Sequence, residues 1–144
     1  MENVPSVPVF YNDPVDSTDP SGLDTLQCER PLNMWGSQHL PPHVLLYSTN
    51  AQAGAGLGPK EQFGVLWQTT GKIEWENPFD SSGNIKSGYS CQTVSKNNCV
   101  EKCVIKRLKE DSVVPPNYEV GQHQCSQYAT DVMSACAAAC RGQK

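Results

Sequence analysis

Cys125-Ser126-Gln127-Tyr128-Ala129-Thr130-Asp131-Val132-Met133-Ser134-Ala135-Cys136-Ala137-Ala138-Ala139-Cys140-Arg141 is the stretch on which the fold turns. Cys125, Ala129, Val132, Met133, Cys136 and Cys140 recur three or four residues apart, so a helix would carry them as one stripe. Gly142 is a natural stop. A second helix is expected from about Asn98 to Lys109. Asn98 is a good N-cap there, and Glu101 three residues on completes a capping box. Cys99, Cys103, Val104 and Leu108 line one face of it. Cys99-x-x-x-Cys103 and Cys136-x-x-x-Cys140 share a spacing that places both thiols of each pair on one helical face. Two such helices packed antiparallel admit two bridges, Cys99 to Cys140 and Cys103 to Cys136, provided each pair of Cα atoms comes within about 7 Å. A four-thiolate zinc site is the rival, although such sites prefer tighter spacing.

Seven cysteines in 144 residues is a high density and an odd number. It points to disulfides or metal, hence to an oxidising destination or a zinc site. Pairing Cys28 with Cys91 as a third bridge rests on arithmetic alone, and it leaves Cys125 as the free thiol.

Upstream of the helices the texture is that of strands. His43 to Thr49 is β-branched, aromatic and short, and Gln62 to Thr69 is similar. Lys72-Ile73-Glu74-Trp75-Glu76 alternates polar and apolar, as a half-buried strand should. Thr70-Gly71 reads as a turn. Residues 24–42 read as irregular, and residues 50–61, rich in Gly and Ala, as a loop. The expected fold class is α+β: a small antiparallel sheet packed with two C-terminal helices and stapled by disulfides. Trp35, Trp67 and Trp75 read as core or groove-lining aromatics. Residues 1–23, with Pro5, Pro8, Pro14 and Pro20 among short apolar pieces, cannot build a core alone. The domain proper is therefore expected at 24–144.

The net charge of −4 argues against a nucleic-acid partner, because affinity for phosphate is carried by clustered Lys and Arg. Lys102, Lys106, Arg107 and Lys109 form the one basic cluster, and its spacing reads as a solvated helix face. No apolar run approaches the roughly 20 residues needed to cross a membrane. The N-terminus lacks the basic and apolar regions of a signal peptide, so export by another carrier is expected.

Tyr11-Asn12-Asp13-Pro14-Val15-Asp16-Ser17-Thr18-Asp19-Pro20-Ser21-Gly22-Leu23 resembles the segment that closes the conserved shell of Rhs proteins: an aromatic, Asn-x-Pro-Val, a few polar residues, then Asp-Pro-x-Gly-Leu. The resemblance implies a cut after Leu23 assisted by Asp19, with a variable toxin downstream. It also implies partners, namely the Rhs core and secretion machinery before release and a cognate immunity protein in the producer. The shell that completes the processing site is not in this sequence, so the chain is not expected to cut itself. The implied destination is a target cell, with the periplasm favoured because disulfides survive there.

Cys125 differs from its siblings by standing at the start of a helix, after the turn-prone Gly121-Gln122-His123-Gln124. Helix N-termini present unsatisfied N–H groups and the positive end of the macrodipole, which favour a thiolate and suit an oxyanion. A nucleophile needs a base, and His43 opens the first of the expected strands. The order His on a strand, further strands, then Cys on a helix resembles the circularly permuted papain-like fold of NlpC-type peptidases and LRAT-type acyltransferases. Gln124-Cys125-Ser126-Gln127-Tyr128 is close to their Asn-Cys-x-x-aromatic motif, with Gln for Asn. The stretch from Cys91 to Cys140 also resembles Rhs-associated C-terminal domains with paired cysteines. The resemblance implies Cys125 as nucleophile, His43 as general base and a third polar group to orient the imidazole. Glu74 is the choice for that group, with Gln68 and Glu76 as close rivals. His123 and His39 are alternative bases, less well placed. Against these readings, a cysteine on an apolar stripe is more often core filler or half a disulfide, and a histidine at a strand edge is usually a surface residue.

The expectation is a secreted antibacterial effector acting by Cys–His amide or ester hydrolysis or acyl transfer, with no cofactor and no metal. A nuclease toxin is the rival, without the zinc-deaminase signature; a disulfide-stapled binding module is the other. The Gly-rich Ala53 to Gly58 segment lacks the Gly-Lys-Ser/Thr of a phosphate cradle and reads as a flexible loop, of the kind that serves as a lid.

Overall fold

The computed structural model describes residues 24–31, 42–59, 68–119 and 124–142. The expected processing residues Asp19 and Leu23, the alternative bases His39 and His123, Trp35, Trp67 and most of the strand expected at 62–69 lie outside them. The described chain builds β1 (Thr25–Arg30), β2 (His43–Ser48), β3 (Ala53–Pro59), β4 (Gln68–Trp75), β5 (Ser90–Ser95), α1 (Asn98–Val113), β6 (Asn117–Glu119) and α2 (Cys125–Ala139). The strands form one antiparallel sheet in the order β5-β1-β2-β3-β4-β6. This is the α+β class expected, a six-stranded sheet with two helices.

Alternation splits the sheet into two faces. Val44, Leu46, Ala55, Leu57 and Ile73 pack with Val104, Leu108, Val132 and Cys136 of the helices to form the larger core. Leu26, Cys28, Leu45, Tyr47, Phe79 and Cys91 make a second core on the other face, where the Tyr47 and Phe79 rings lie 5.2 Å apart. β2 is buried along its whole length because both its faces are covered, which is why Val44 to Tyr47 show no polar alternation.

Three disulfides staple the fold. Cys99–Cys140 and Cys103–Cys136 join the two helices, with Cα separations of 5.8 and 5.6 Å, and Cys28–Cys91 joins opposed residues of β1 and β5. All six thiols of the four-thiolate alternative and of the third pair are thus engaged in S–S bonds. Tyr128 adds a hydroxyl donated to Asp111 Oδ2 at 2.6 Å between α2 and the end of α1.

Several local expectations are corrected. Residues 53–59 are not a loop or lid but the buried strand β3. Its alternating glycines are required by close approach: a Cβ on Gly54 would fall 2.5 Å from Leu46 O, and one on Gly56 2.3 Å from Val44 O. Thr70-Gly71 lies within β4 rather than in a turn. Residues 25–30 of the region read as irregular form β1, and β5 has no counterpart among the expected elements. The N-cap of α1 is Asn97, whose side chain accepts from Val100 N, one residue before the expected cap. The shift turns Glu101 inward. Instead of closing a capping box, its carboxylate takes the Ser48 hydroxyl at 2.7 Å and Asn50 N at 2.9 Å, holding the turn after β2. Trp75 is 42% exposed and donates Nε1–H to Ser112 Oγ, so of its two expected roles it takes the groove-lining one and not the core one.

Candidate active site

The start of β2 and the start of α2 meet at one end of the sheet. α2 begins at Cys125, and its N-cap Gln124 is extended and makes no side-chain cap hydrogen bond. The Cys125 side chain is buried against the first residues of β2: Val44 N–H donates to Sγ at 3.3 Å, and the thiol faces Pro42 O at 3.5 Å. Cys125 is the one cysteine of the seven outside a disulfide. His43, between Pro42 and Val44, is only 2% exposed, and the neighbouring Cys125 side chain favours its charged form.

The other side of the ring faces carboxylates. His43 Nε2 lies 3.1 Å from Glu76 Oε2 and 3.8 Å from Glu74 Oε1. The nearer is an ion-pair contact and the farther lies beyond hydrogen-bonding distance, so Nε2 is a buried nitrogen beside carboxylates but without a well-formed hydrogen bond. Burial opposes charge on the imidazole, but the contacts with Cys125 and Glu76 outweigh it and raise its pKa from 6.5 to about 9.

Glu76 is held from two further directions. Arg30 spans its carboxylate, Nε to Oε1 at 2.7 Å and Nη2 to Oε2 at 3.1 Å, and the Tyr89 hydroxyl donates to Oε1 at 2.6 Å. Burial alone would raise the Glu76 pKa; His43, Arg30 and Tyr89 together hold it far below the usual carboxylate range. The sequence pattern explains why these groups converge. Arg30 stands opposite His43 in the β1–β2 register. Lys72, Glu74 and Glu76 alternate along β4 onto the same face. Gly56 leaves room for the His43 ring, and Gly58 for the Glu74 carboxylate, which a Cβ would approach within 2.7 Å.

These groups border a cavity of about 1040 Å³, with Tyr89, Trp75 and Tyr118 in its wall. Tyr118 joins the cavity to the thiol: its hydroxyl is pushed up to about 12 by burial and by neighbouring Cys125 and Glu74.

Cys125, His43 and Glu74 are thus brought together, but Glu76 stands closer to the imidazole than Glu74. Gln68 lies six residues from Glu74 along β4, about 20 Å at strand spacing, and is not part of the cluster. Arg30 and Tyr89 are additional members of the cluster. The alternation Leu26, Cys28, Arg30 carried a signal for Arg30 once 25–30 is read as a strand; nothing in the sequence singles out Tyr89.

No protein-family model matches the chain, and no solved structure matches it.

Proposed function

We propose that residues 24–144 are a delivered antibacterial toxin domain of permuted papain-like type, acting by acyl chemistry at Cys125. One observation carries the reading: the single unpaired cysteine stands at a helix start in contact with an imidazole backed by a carboxylate. Nucleophile, base and orienting group in series are what cysteine acyl transfer requires.

In this reading His43 uses Nε2 toward Glu76 and Nδ1 toward Cys125. His43, whose pKa is raised to about 9, holds the thiol's proton at neutral pH in a thiolate–imidazolium pair, and Sγ attacks a substrate carbonyl carbon. The oxyanion that forms is stabilised by N–H groups of the first turn of α2. Collapse breaks the bond to the leaving amine or alcohol, which receives the proton from His43, and leaves an acyl thioester on Cys125. Water or an acceptor nucleophile, deprotonated by His43, then releases the acyl group. Glu76, clamped by Arg30 and Tyr89, orients the ring and offsets its charge. Glu74 stands beside it, at the cavity, as a second carboxylate.

Peptide bonds of peptidoglycan are the favoured substrate class, because three disulfides suit a domain that works in an oxidising compartment. The Rhs-like segment ending at Leu23 supports delivery as a processed tip, with a cognate immunity protein as partner. No helix among the described residues is long and apolar enough to cross a membrane.

The test is growth of a bacterial host expressing residues 24–144 with and without a periplasmic leader, as wild type, Cys125→Ser and His43→Gln. Growth arrest confined to periplasm-directed wild type supports the reading. Toxicity retained by Cys125→Ser overturns it.

A further inference from the structure

We infer that His43, Glu74 and Glu76 form a site for a divalent transition-metal ion of the Zn²⁺ class, and that the ion competes with Cys125 for the imidazole. The three side chains each offer one donor atom, and these atoms lie within 4.8 Å of one another. Donors around a tetrahedral zinc ion sit about 2.0–2.1 Å from the metal, hence about 3.4 Å from each other. The Nε2–oxygen separations, 3.1 and 3.8 Å, bracket that edge. An imidazole and two carboxylates are a donor set that zinc accepts, with a fourth position open to water.

A second observation points the same way. Nε2 of His43 is buried and lacks a hydrogen-bond partner, a condition that normally has a cost. A metal ion supplies the missing partner. The cavity gives the ion a path to the donors. Arg30 spans both oxygens of Glu76 and Tyr89 bonds Oε1, outer support that fixes the carboxylate while leaving Oε2 a lone pair toward His43.

The consequence for Cys125 rests on the acyl-transfer reading above. Nε2 of His43 faces Glu76 and Glu74, and Cys125 lies beside the same imidazole. An ion on Nε2 takes the position from which the carboxylates orient the ring, so the imidazole serves either the ion or Cys125. Metal binding and thiol chemistry would therefore compete for one side chain.

The experiment titrates Co²⁺, and separately Zn²⁺, into the disulfide-intact protein, reading the visible absorption of Co²⁺ and binding heat, with alkylation of Cys125 as second readout. Wild type should bind one ion, and Zn²⁺ should slow alkylation. Glu74→Gln, a change at a partly exposed side chain, should weaken binding by at least about tenfold and abolish the Zn²⁺ effect on alkylation. Cys125→Ser should bind as wild type does. Circular dichroism establishes that each variant is folded. Absence of one-to-one binding, binding indifferent to Glu74→Gln, binding lost in Cys125→Ser, or unchanged alkylation with the site loaded would overturn the inference. Failure of the acyl reading looks different: toxicity surviving Cys125→Ser while the ion still binds through Glu74.

Discussion

His43 Nε2 sits 3.1 Å from Glu76 Oε2, and the same carboxylate is spanned by Arg30 and capped by the Tyr89 hydroxyl. One acidic residue just past the end of β4 thus connects β1, β2 and the segment before β5. Replacing it leaves a buried imidazole and an Arg side chain without their shared partner. Glu76→Gln should destabilise the fold by about 1–3 kcal/mol in denaturant titrations.

The pH dependence of that loss has a defined sign. His43 has its folded pKa raised to about 9, so its contribution is full below its ordinary 6.5 and disappears as pH rises through 9. Glu76 has its folded pKa lowered, so its contribution is full above the ordinary carboxylate range and is lost on acidification. In chelator, the stability difference between wild type and Glu76→Gln should be largest between about pH 5 and 6.5 and shrink on both sides. A difference that grows from pH 7 to 10 would contradict the pairing.

The glycines of β3 separate two kinds of constraint. Gly56→Ala forces a Cβ against the fixed carbonyl of Val44 and should cost about 1–3 kcal/mol. Gly58→Ala meets only the Glu74 carboxylate, a side-chain end that can move. It should leave the melting temperature close to wild type while displacing Glu74 from the imidazole. Thermal melts of the two variants, side by side, check this.

The disulfides close spans of 63, 41 and 33 residues. Chain-entropy reasoning gives each a contribution of about 4 kcal/mol, less any native strain. Cys103→Ala/Cys136→Ala should lower the denaturant midpoint accordingly. Alkylation under denaturing, non-reducing conditions should add one label per chain, and seven after reduction.

How far the sequence speaks depends on whether a signal is local. The helices and their cysteine pairs are legible because a spacing of four is a property of one helix, and the two inter-helix bridges follow from it. Cys125 and His43 are legible for the same reason: each stands at the start of a periodic segment. β3 is not, since Ala53 to Gly58 has the composition of a loop; its glycines are dictated by β2 and the site, which are not local. β1 and β5 are hidden because short strands beside Pro- and Ser-rich text give too few alternations. The choice between Glu74 and Glu76 cannot be made from alternation, which places both on one face. It is made by Arg30 and Tyr89, from distant parts of the chain.

The most direct test of Cys125 as a nucleophile activated by His43 is the rate at which iodoacetamide labels the native, metal-free protein at neutral pH, read by intact mass and peptide mapping. A single label at Cys125 is expected in wild type, slowed at least about tenfold in His43→Gln. No labelling of native Cys125, or labelling at the same rate without the imidazole, would contradict it.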